Sequence, residues 1–183
     1  MNSETPQTPA ILAGLFRDVA WVRVTGKGCF QNSPQLREFA NRVAEAGQDT
    51  MVVDLEECPH MDSTFMGTLT GIACQVFKDG KLHIVNVCER NAGLLKGLGI
   101  DQILDVDLNG SSWKEEREMV RDSITQEVEC DPLNKVEHSE LVLEAHETLC
   151  EANANNRAKF CNVIEFLKQD LADAKNGDSE AAQ

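Results

Sequence analysis

Short apolar runs rich in β-branched residues alternate with helical patterns between residues 10 and 110, and this alternation limits the chain to a few architectures. Residues 11–16 and 20–25 predict a β-hairpin, because only a short turn separates the two runs. Residues 50–55 form a short apolar run between turn residues, as a buried parallel strand does. Helical patterns and further strand signals follow in turn. The prediction is an α/β fold in which helices pack on a mixed β-sheet.

The remaining elements are predicted from periodicity and capping residues. Two more strands are expected at residues 82–87 and 102–106, and helices at 33–47, 63–78, 90–98 and 111–124. Ser112 and Glu115 have the spacing of a capping box at the start of the last helix. Residues 1–9 are rich in polar residues and proline, which predicts a disordered tail.

Residues 125–183 carry no strand signal and predict an all-α extension of the domain at residues 10–124. One helical stripe runs through it with steps of three and four, comprising Leu141, Ala145, Leu149, Ala152, Asn156, Phe160, Val163, Leu167 and Leu171. An unbroken helix over residues 137–174 would be about 57 Å long, but residues 153–156 offer a break at which a helical hairpin could form. Both geometries remain open. The stripe favours an interaction helix, and a second copy of the chain is one candidate partner.

The charge balance excludes several classes of partner. The 183 residues include 17 Lys and Arg against 31 Asp and Glu, a net charge of −14. Nucleic-acid and anionic-membrane binding both need a basic face, so we expect neither. No apolar run is long enough to cross a bilayer, and seven cysteines are spread singly, as reduced thiols are. A cytoplasmic location is expected.

Signals for cofactor, metal or catalytic chemistry are weak. The segment Gly26-Lys27-Gly28 lacks the spacing of a phosphate-binding loop. His146 and Cys150 are four residues apart on a predicted helix, but no third ligand lies at a customary spacing. No pair of titratable residues has an evident reason for shifted pKa values. We therefore expect no metal, no cofactor and no enzymatic activity.

The most informative segment is residues 52–72, VVDLEECPHMDSTFMGTLTGI. A buried strand ends in a loop, which delivers Asp62, Ser63 and Thr64 to the start of a helix. These residue types are common helix caps, so one interpretation of Ser63 is purely structural. No Lys or Arg occurs between Val43 and Phe77, so a phosphate-bearing small molecule would find no cation in this loop.

This segment resembles the signature of the STAS domain, the fold of bacterial anti-sigma factor antagonists. The matching residues are Val53-Asp54-Leu55, Met61-Asp62-Ser63-Thr64 and Gly67, and the similarity extends over residues 10–124, including AGLLKGLGIDQIL at 92–104. The resemblance implies a protein that binds a kinase-type anti-sigma factor and is released when a serine is phosphorylated. It makes Ser63 the expected phosphosite, with Thr64 as a weaker alternative.

The same resemblance implies that the partner binds at residues 60–67, through Met61, Asp62, Ser63, Thr64, Phe65 and Gly67. Phe65 stands where the family pattern has glycine, either as an aromatic anchor for the partner or as an obstacle to a kinase. The substitution favours a second hypothesis, in which the chain is a scaffold that is not phosphorylated and assembles through its helical tail.

Overall fold

The computed structural model describes residues 9–78 and 81–180, with the side chains of the last helix described as far as Ala174. The tail expected at residues 1–9 lies outside this part of the chain, except for Pro9. Helices and strands alternate in the order β1, β2, α1, β3, α2, β4, α3, β5, α4, α5 and α6. None of the described helices is both long and apolar enough to cross a membrane.

Five strands form one sheet in the order β1-β2-β3-β4-β5. The strands are β1 (Ala10–Phe16), β2 (Val19–Thr25), β3 (Met51–Asp54), β4 (Leu82–Val85) and β5 (Asp105–Val106). β1 and β2 are antiparallel, and β2 to β5 are parallel. The outer edge of β1 is also paired, because Val128 N–H donates to the Ile11 carbonyl at 2.8 Å and Ala13 N–H to the Gln126 carbonyl at 2.9 Å.

Alternating residues of the strands send side chains to opposite faces of the sheet. Val22, Val53 and Ile84 belong to the larger core, which α1 (Ser33–Glu45), α2 (Ser63–Gly71) and α3 (Glu89–Leu98) cover. Trp21 and Val52 face the other way, into a smaller core under α4 (Lys114–Val120). The predicted fold class, a mixed sheet with packed helices and an all-α extension, is confirmed.

Three local predictions are wrong in detail. The helix predicted at 63–78 is α-helical only to Gly71 and continues as a π-helical turn, Ile72–Val76. The strand predicted at 102–106 is reduced to β5. The Ser112–Glu115 capping box does not form. The Ser112 amide donates instead to the Asp107 carboxylate at 2.7 Å, and α4 starts after Trp113, which has a left-handed backbone.

The C-terminal extension folds back on itself. α5 (Lys135–Ala152) is joined by a 3₁₀ turn, Ala154–Asn156, to α6 (Arg157–Glu180), so the possible break at residues 153–156 is where the chain turns. Asn134 and Glu137 form a capping box at the start of α5. We call α5, the turn and α6 the helical hairpin. α5 packs on α2 as well as on α6.

The hairpin is tied to the C-terminal end of α3. The buried Asn156 amide donates to the carbonyls of Leu98 at 2.9 Å and Leu149 at 2.8 Å. Lys159 Nζ donates to the Gly97 carbonyl at 2.6 Å. The last carbonyls of a helix have no partner within it and carry partial negative charge, so an amide and a cation are suited to this position.

Candidate functional site

The loop after β3 is positioned by Asp62, which caps α2. Its Oδ1 accepts from the Phe65 amide at 2.8 Å, as an N-cap residue does. Its Oδ2 accepts from the Phe30 amide at 2.9 Å, and the Asp62 amide donates to the Gly28 carbonyl at 2.9 Å. The loop after β2 and the start of α2 are therefore held together through one carboxylate and a short stretch of backbone.

Phe65 occupies space that Gly28 leaves open. The Phe65 side chain is fully buried in the larger core, and a Cβ atom added at Gly28 would lie 2.7 Å from Cδ1 of its ring. The backbone bond from Gly28 N–H to the His60 carbonyl, at 3.0 Å, brings the two loops together at this point. The aromatic residue that replaces the family glycine thus packs inward, against a second glycine.

Ser63 is the first residue of α2, and its side chain is half-buried. Its Oγ lies 2.9 Å from Nε2 of His146, on α5. His146 Nδ1 lies 2.7 Å from the Val142 carbonyl, which can only accept, so we assign the proton to Nδ1. In the neutral ring Nε2 then accepts, and the Ser63 hydroxyl donates. The ring of Phe160, on α6, packs edge-on against His146 at 4.8 Å between centroids.

Gly67 lies directly beneath the backbone of α5. A Cβ atom added at Gly67 would overlap the Ala145 carbonyl oxygen and lie 2.7 Å from the carbonyl carbon. Leu141, Ala145 and Leu149 are all buried along the same side of α5. Only a residue without a side chain permits this approach of α2 and α5.

The six residues predicted to bind a partner lie together but differ in exposure. Asp62 and Ser63 are half-buried. The other four, Met61, Thr64, Phe65 and Gly67, are buried. Thr64 is only 5% exposed, so Ser63 is the more accessible of the two hydroxyl-bearing residues.

Two acidic residues of the loop are paired with cations from distant parts of the sequence. Glu57 accepts from Arg23 of β2 at 2.8 Å, and Glu56 forms an ion pair with Arg121 at 2.7 Å. The hydrogen bond from Arg121 to Glu56 raises the pKa of Arg121 further above its ordinary value. No Lys or Arg lies near this loop in the sequence, but the fold brings Arg23 from β2 and Arg121 from the end of α4 to it.

His146 is the site residue that sequence reasoning missed. The sequence suggests it only as a weak metal ligand with Cys150, and within the described residues no cluster of His, Cys, Asp or Glu side chains is arranged to hold a metal ion. Its bond to Ser63 joins residues 83 positions apart, so no local spacing indicates it.

Comparisons with known proteins agree on the fold. The family model for the STAS domain matches residues 15–113. A comparison with curated proteins found no significant match. Among solved structures, an anti-sigma factor antagonist from Mycobacterium paratuberculosis is similar, with a TM-score of 0.52, 18% sequence identity, and coverage of 64% of this chain and 98% of the other.

Two further solved structures are similar at lower TM-scores. The protein TM1081 has a TM-score of 0.49 and 16% identity, with 58% of this chain and 86% of the other covered. The anti-sigma factor antagonist SpoIIAA in its unphosphorylated form has a TM-score of 0.47 and 16% identity, with 61% of this chain and 98% of the other covered.

Proposed function

The chain belongs to the STAS domain family, and on this basis we propose that it is a regulatory protein that binds a kinase-type anti-sigma factor through residues 60–67. Phosphorylation of Ser63 would switch this binding. In this proposal the protein is bacterial and cytoplasmic, and it regulates transcription. It has no enzymatic activity and needs no cofactor. Its binding domain is taken to span residues 10–124, with the helical extension beginning at residue 125.

The position of Ser63 is the observation that carries the proposal. It is the first residue of α2, directly after the N-cap Asp62, and the loop that leads to it starts at the carboxyl end of the parallel strand β3. Met61, Asp62, Thr64 and Gly67 around it match the family pattern, and Phe65 departs from it. The similar protein from M. paratuberculosis is an anti-sigma factor antagonist, which is consistent with a partner of the anti-sigma type.

A phosphate at Ser63 has a clear physical effect. It adds about −1.5 to −2 charges and three acceptor oxygens. The free amides at the start of α2 favour this charge, whereas the adjacent Asp62 carboxylate opposes it. A partner that packs closely on the unmodified serine would therefore be expelled by bulk and charge, without a change of fold.

The direct experiment incubates the protein with each anti-sigma-type kinase encoded in the same genome and locates the phosphate by mass spectrometry. We expect modification at Ser63, unaffected by Thr64→Ala and abolished by Ser63→Ala. Binding to the partner should persist in Ser63→Ala and weaken by at least about tenfold in Ser63→Asp, or about 1.4 kcal/mol. Modification confined to other residues, or equal binding of both variants, would show that Ser63 has only a structural role, at the start of α2 and in its bond to His146.

A second candidate function is assembly through the helical tail, the possible dimer over residues 137–174. The N-terminal half of the apolar stripe packs on α2 and so is not available to a second copy. α6, however, leaves Val163 and Phe166 exposed, at 40% and 69%, three residues apart on one side of the helix. Two copies could bury this patch between them.

Light scattering on the full chain tests the assembly. A dimer should weaken with Phe166→Glu but not with Ala172→Glu, which places the same charge at an exposed site on the same helix. A monomer at all concentrations, or equal effects of both substitutions, would rule out this candidate function.

A further inference from the structure

The helical hairpin lies over the part of α2 that carries the proposed binding residues. α5 touches α2 at the backbone, with the Ala145 carbonyl against Gly67. Leu141 and Leu149 are 2% and 0% exposed on either side of this contact. No side chain of another protein can enter between two helices that approach so closely. The face of α2 around Gly67 is therefore already occupied.

The hydroxyl of Ser63 is bonded to α5, and α6 packs against the residue that binds it. It donates to His146 of α5, whose ring is braced by the Val142 carbonyl and by Phe160 of α6. A kinase must align the acceptor hydroxyl with the γ-phosphate of a nucleotide, and this needs open space in line with the oxygen. In the present arrangement the imidazole ring lies in hydrogen-bonding contact with that oxygen.

Several features make the hairpin separable from the domain. Residues 129–134, which join it to the sheet, contain no helix or strand and can span about 20 Å when extended. The ion pair between Arg37 and Glu144 at the interface is exposed, and such pairs contribute little. A cavity of about 210 Å³ between α1, α2 and α5 is lined partly by polar side chains, including Asn41, Gln75 and Thr148.

We propose that the helical hairpin is an intramolecular competitor for the partner-binding face of α2. The closed arrangement buries Gly67 and engages the hydroxyl of the half-buried Ser63, and the partner gains access to this face only when the hairpin has moved away as a unit. Burial of apolar residues of α5 makes the closed form dominant, so the apparent affinity of the partner is reduced by the open fraction. Because the connection is short, the released hairpin stays near α2 at a high effective concentration and rebinds readily. This inference rests on the proposed function of the Ser63 region.

The concealment can be measured without a partner. In full-length protein carrying Ser63→Cys, labelling with N-ethylmaleimide is followed at each cysteine by peptide mass spectrometry. Exposed Cys74 is the internal reference. Cys58 is 1% exposed, and burial raises the pKa of its thiol, so it stays unlabelled while the domain is folded.

We expect the thiol introduced by Ser63→Cys to react at least about tenfold more slowly than Cys74, because in the dominant closed form position 63 is half-buried against His146 and open molecules are a small fraction. Adding Ala145→Arg, which places a bulky cation against Gly67 without altering α2, should bring its rate close to that of Cys74. Ala158→Arg, the same substitution at an exposed site of α6, should leave the rate unchanged. Labelling as fast as that of Cys74 without Ala145→Arg would overturn the inference.

Labelling of Cys58 would reveal that Ala145→Arg unfolds the whole domain. In that case Leu141→Ala is used in place of Ala145→Arg, because it weakens the same interface by truncating a side chain and introduces no charge. It should accelerate labelling by a smaller factor while Cys58 remains protected. An unchanged rate in Leu141→Ala, with the protein folded, would contradict the inference.

The partner experiment separates failure of this inference from failure of the proposed function. With the native serine retained, Ala145→Arg should bind the anti-sigma-type kinase more tightly, and be phosphorylated at Ser63 faster, than the wild type and Ala158→Arg. Equal binding and equal rates for all three would overturn the competitor role and leave the proposed function standing. Binding and modification of none of them would overturn the proposed function, and this inference with it.

Discussion

Single residues around Ser63 combine structural roles with the proposed functional one. Asp62 accepts two backbone hydrogen bonds, one from Phe65 within α2 and one from Phe30 in the loop after β2. Phe65, which departs from the family pattern, is accommodated because Gly28 leaves room for its ring. The loop is therefore rigidly connected to the domain on its inner side, and Ser63 is presented at a fixed position.

Replacing Asp62 tests this arrangement. Asp62→Ala removes the N-cap and leaves the Phe65 and Phe30 amides without their acceptor. The free energy of unfolding should fall by about 1–2 kcal/mol, the range for loss of a cap. Asp62→Asn keeps one acceptor oxygen for Phe65 but not the second for Phe30, so its stability should lie between those of Asp62→Ala and the wild type. Urea unfolding measures all three proteins, and equal stability of Asp62→Ala and the wild type would show that the cap contributes nothing.

At the scale of elements, the contact between α2 and α5 depends on small residues. The motif predicts Gly67 as a family glycine. In this chain the residue also has a packing role. Gly67 allows the backbone of α5 to approach at Ala145. The stripe predicted along the tail is real, but its first half faces α2 of the same chain rather than a second copy.

Gly67→Ala and Gly93→Ala form a matched pair of substitutions in helices. At Gly67 the added methyl group overlaps the Ala145 backbone, so the hairpin must shift, and we expect a loss of about 1–3 kcal/mol. At Gly93 of α3 an added Cβ meets nothing within 4 Å, so alanine should be neutral or stabilise the chain by about 0.5–1 kcal/mol. Denaturant unfolding measures both, and an equal effect of the two would contradict the close approach of α2 and α5.

At the scale of the whole molecule, the sheet separates two hydrophobic cores, and different spectroscopic signals follow the two sides of the sheet. Trp21 and Trp113 pack edge-on, with ring centroids 5.7 Å apart, on the face covered by α4. The hairpin contributes Leu149 and Phe160 to the larger core on the opposite face. Tryptophan fluorescence thus follows the α4 side, whereas far-ultraviolet circular dichroism is strongly weighted by the long helices of the hairpin.

Because the larger core includes residues of both the sheet and the hairpin, the wild type should unfold in one transition. The fluorescence and circular dichroism curves should coincide in urea, as two-state unfolding requires. In Ala145→Arg the hairpin is released, so the helical signal should decrease at lower urea concentration than the fluorescence signal. Separate transitions already in the wild type would show that the hairpin is not part of the cooperative unit.

Most of the fold was predictable because its signals are local. The hairpin of β1 and β2, the buried strand β3 and the helix that starts after Asp62 each follow from apolar periodicity and capping within a few residues. The Ser112–Glu115 capping box was predicted wrongly because another group competes for the same backbone amide. There the Asp107 carboxylate accepts from the Ser112 amide, which in a capping box would donate to the Glu115 side chain.

The sequence by itself determined the fold class, the all-α extension and the placement of Ser63 at the start of a helix, since these depend on residues close together in the chain. The tertiary structure alone decided what covers that serine. The bond to His146 spans 83 positions, and the pairing of Glu56 with Arg121 spans 65. Neither can be read from spacing, because both exist only after the helical hairpin and α4 have packed against the sheet domain. The choice between a protruding helix and a folded-back hairpin was settled in the same way, by the packing of α6 on α5 and the bonds of Asn156 and Lys159 to the end of α3.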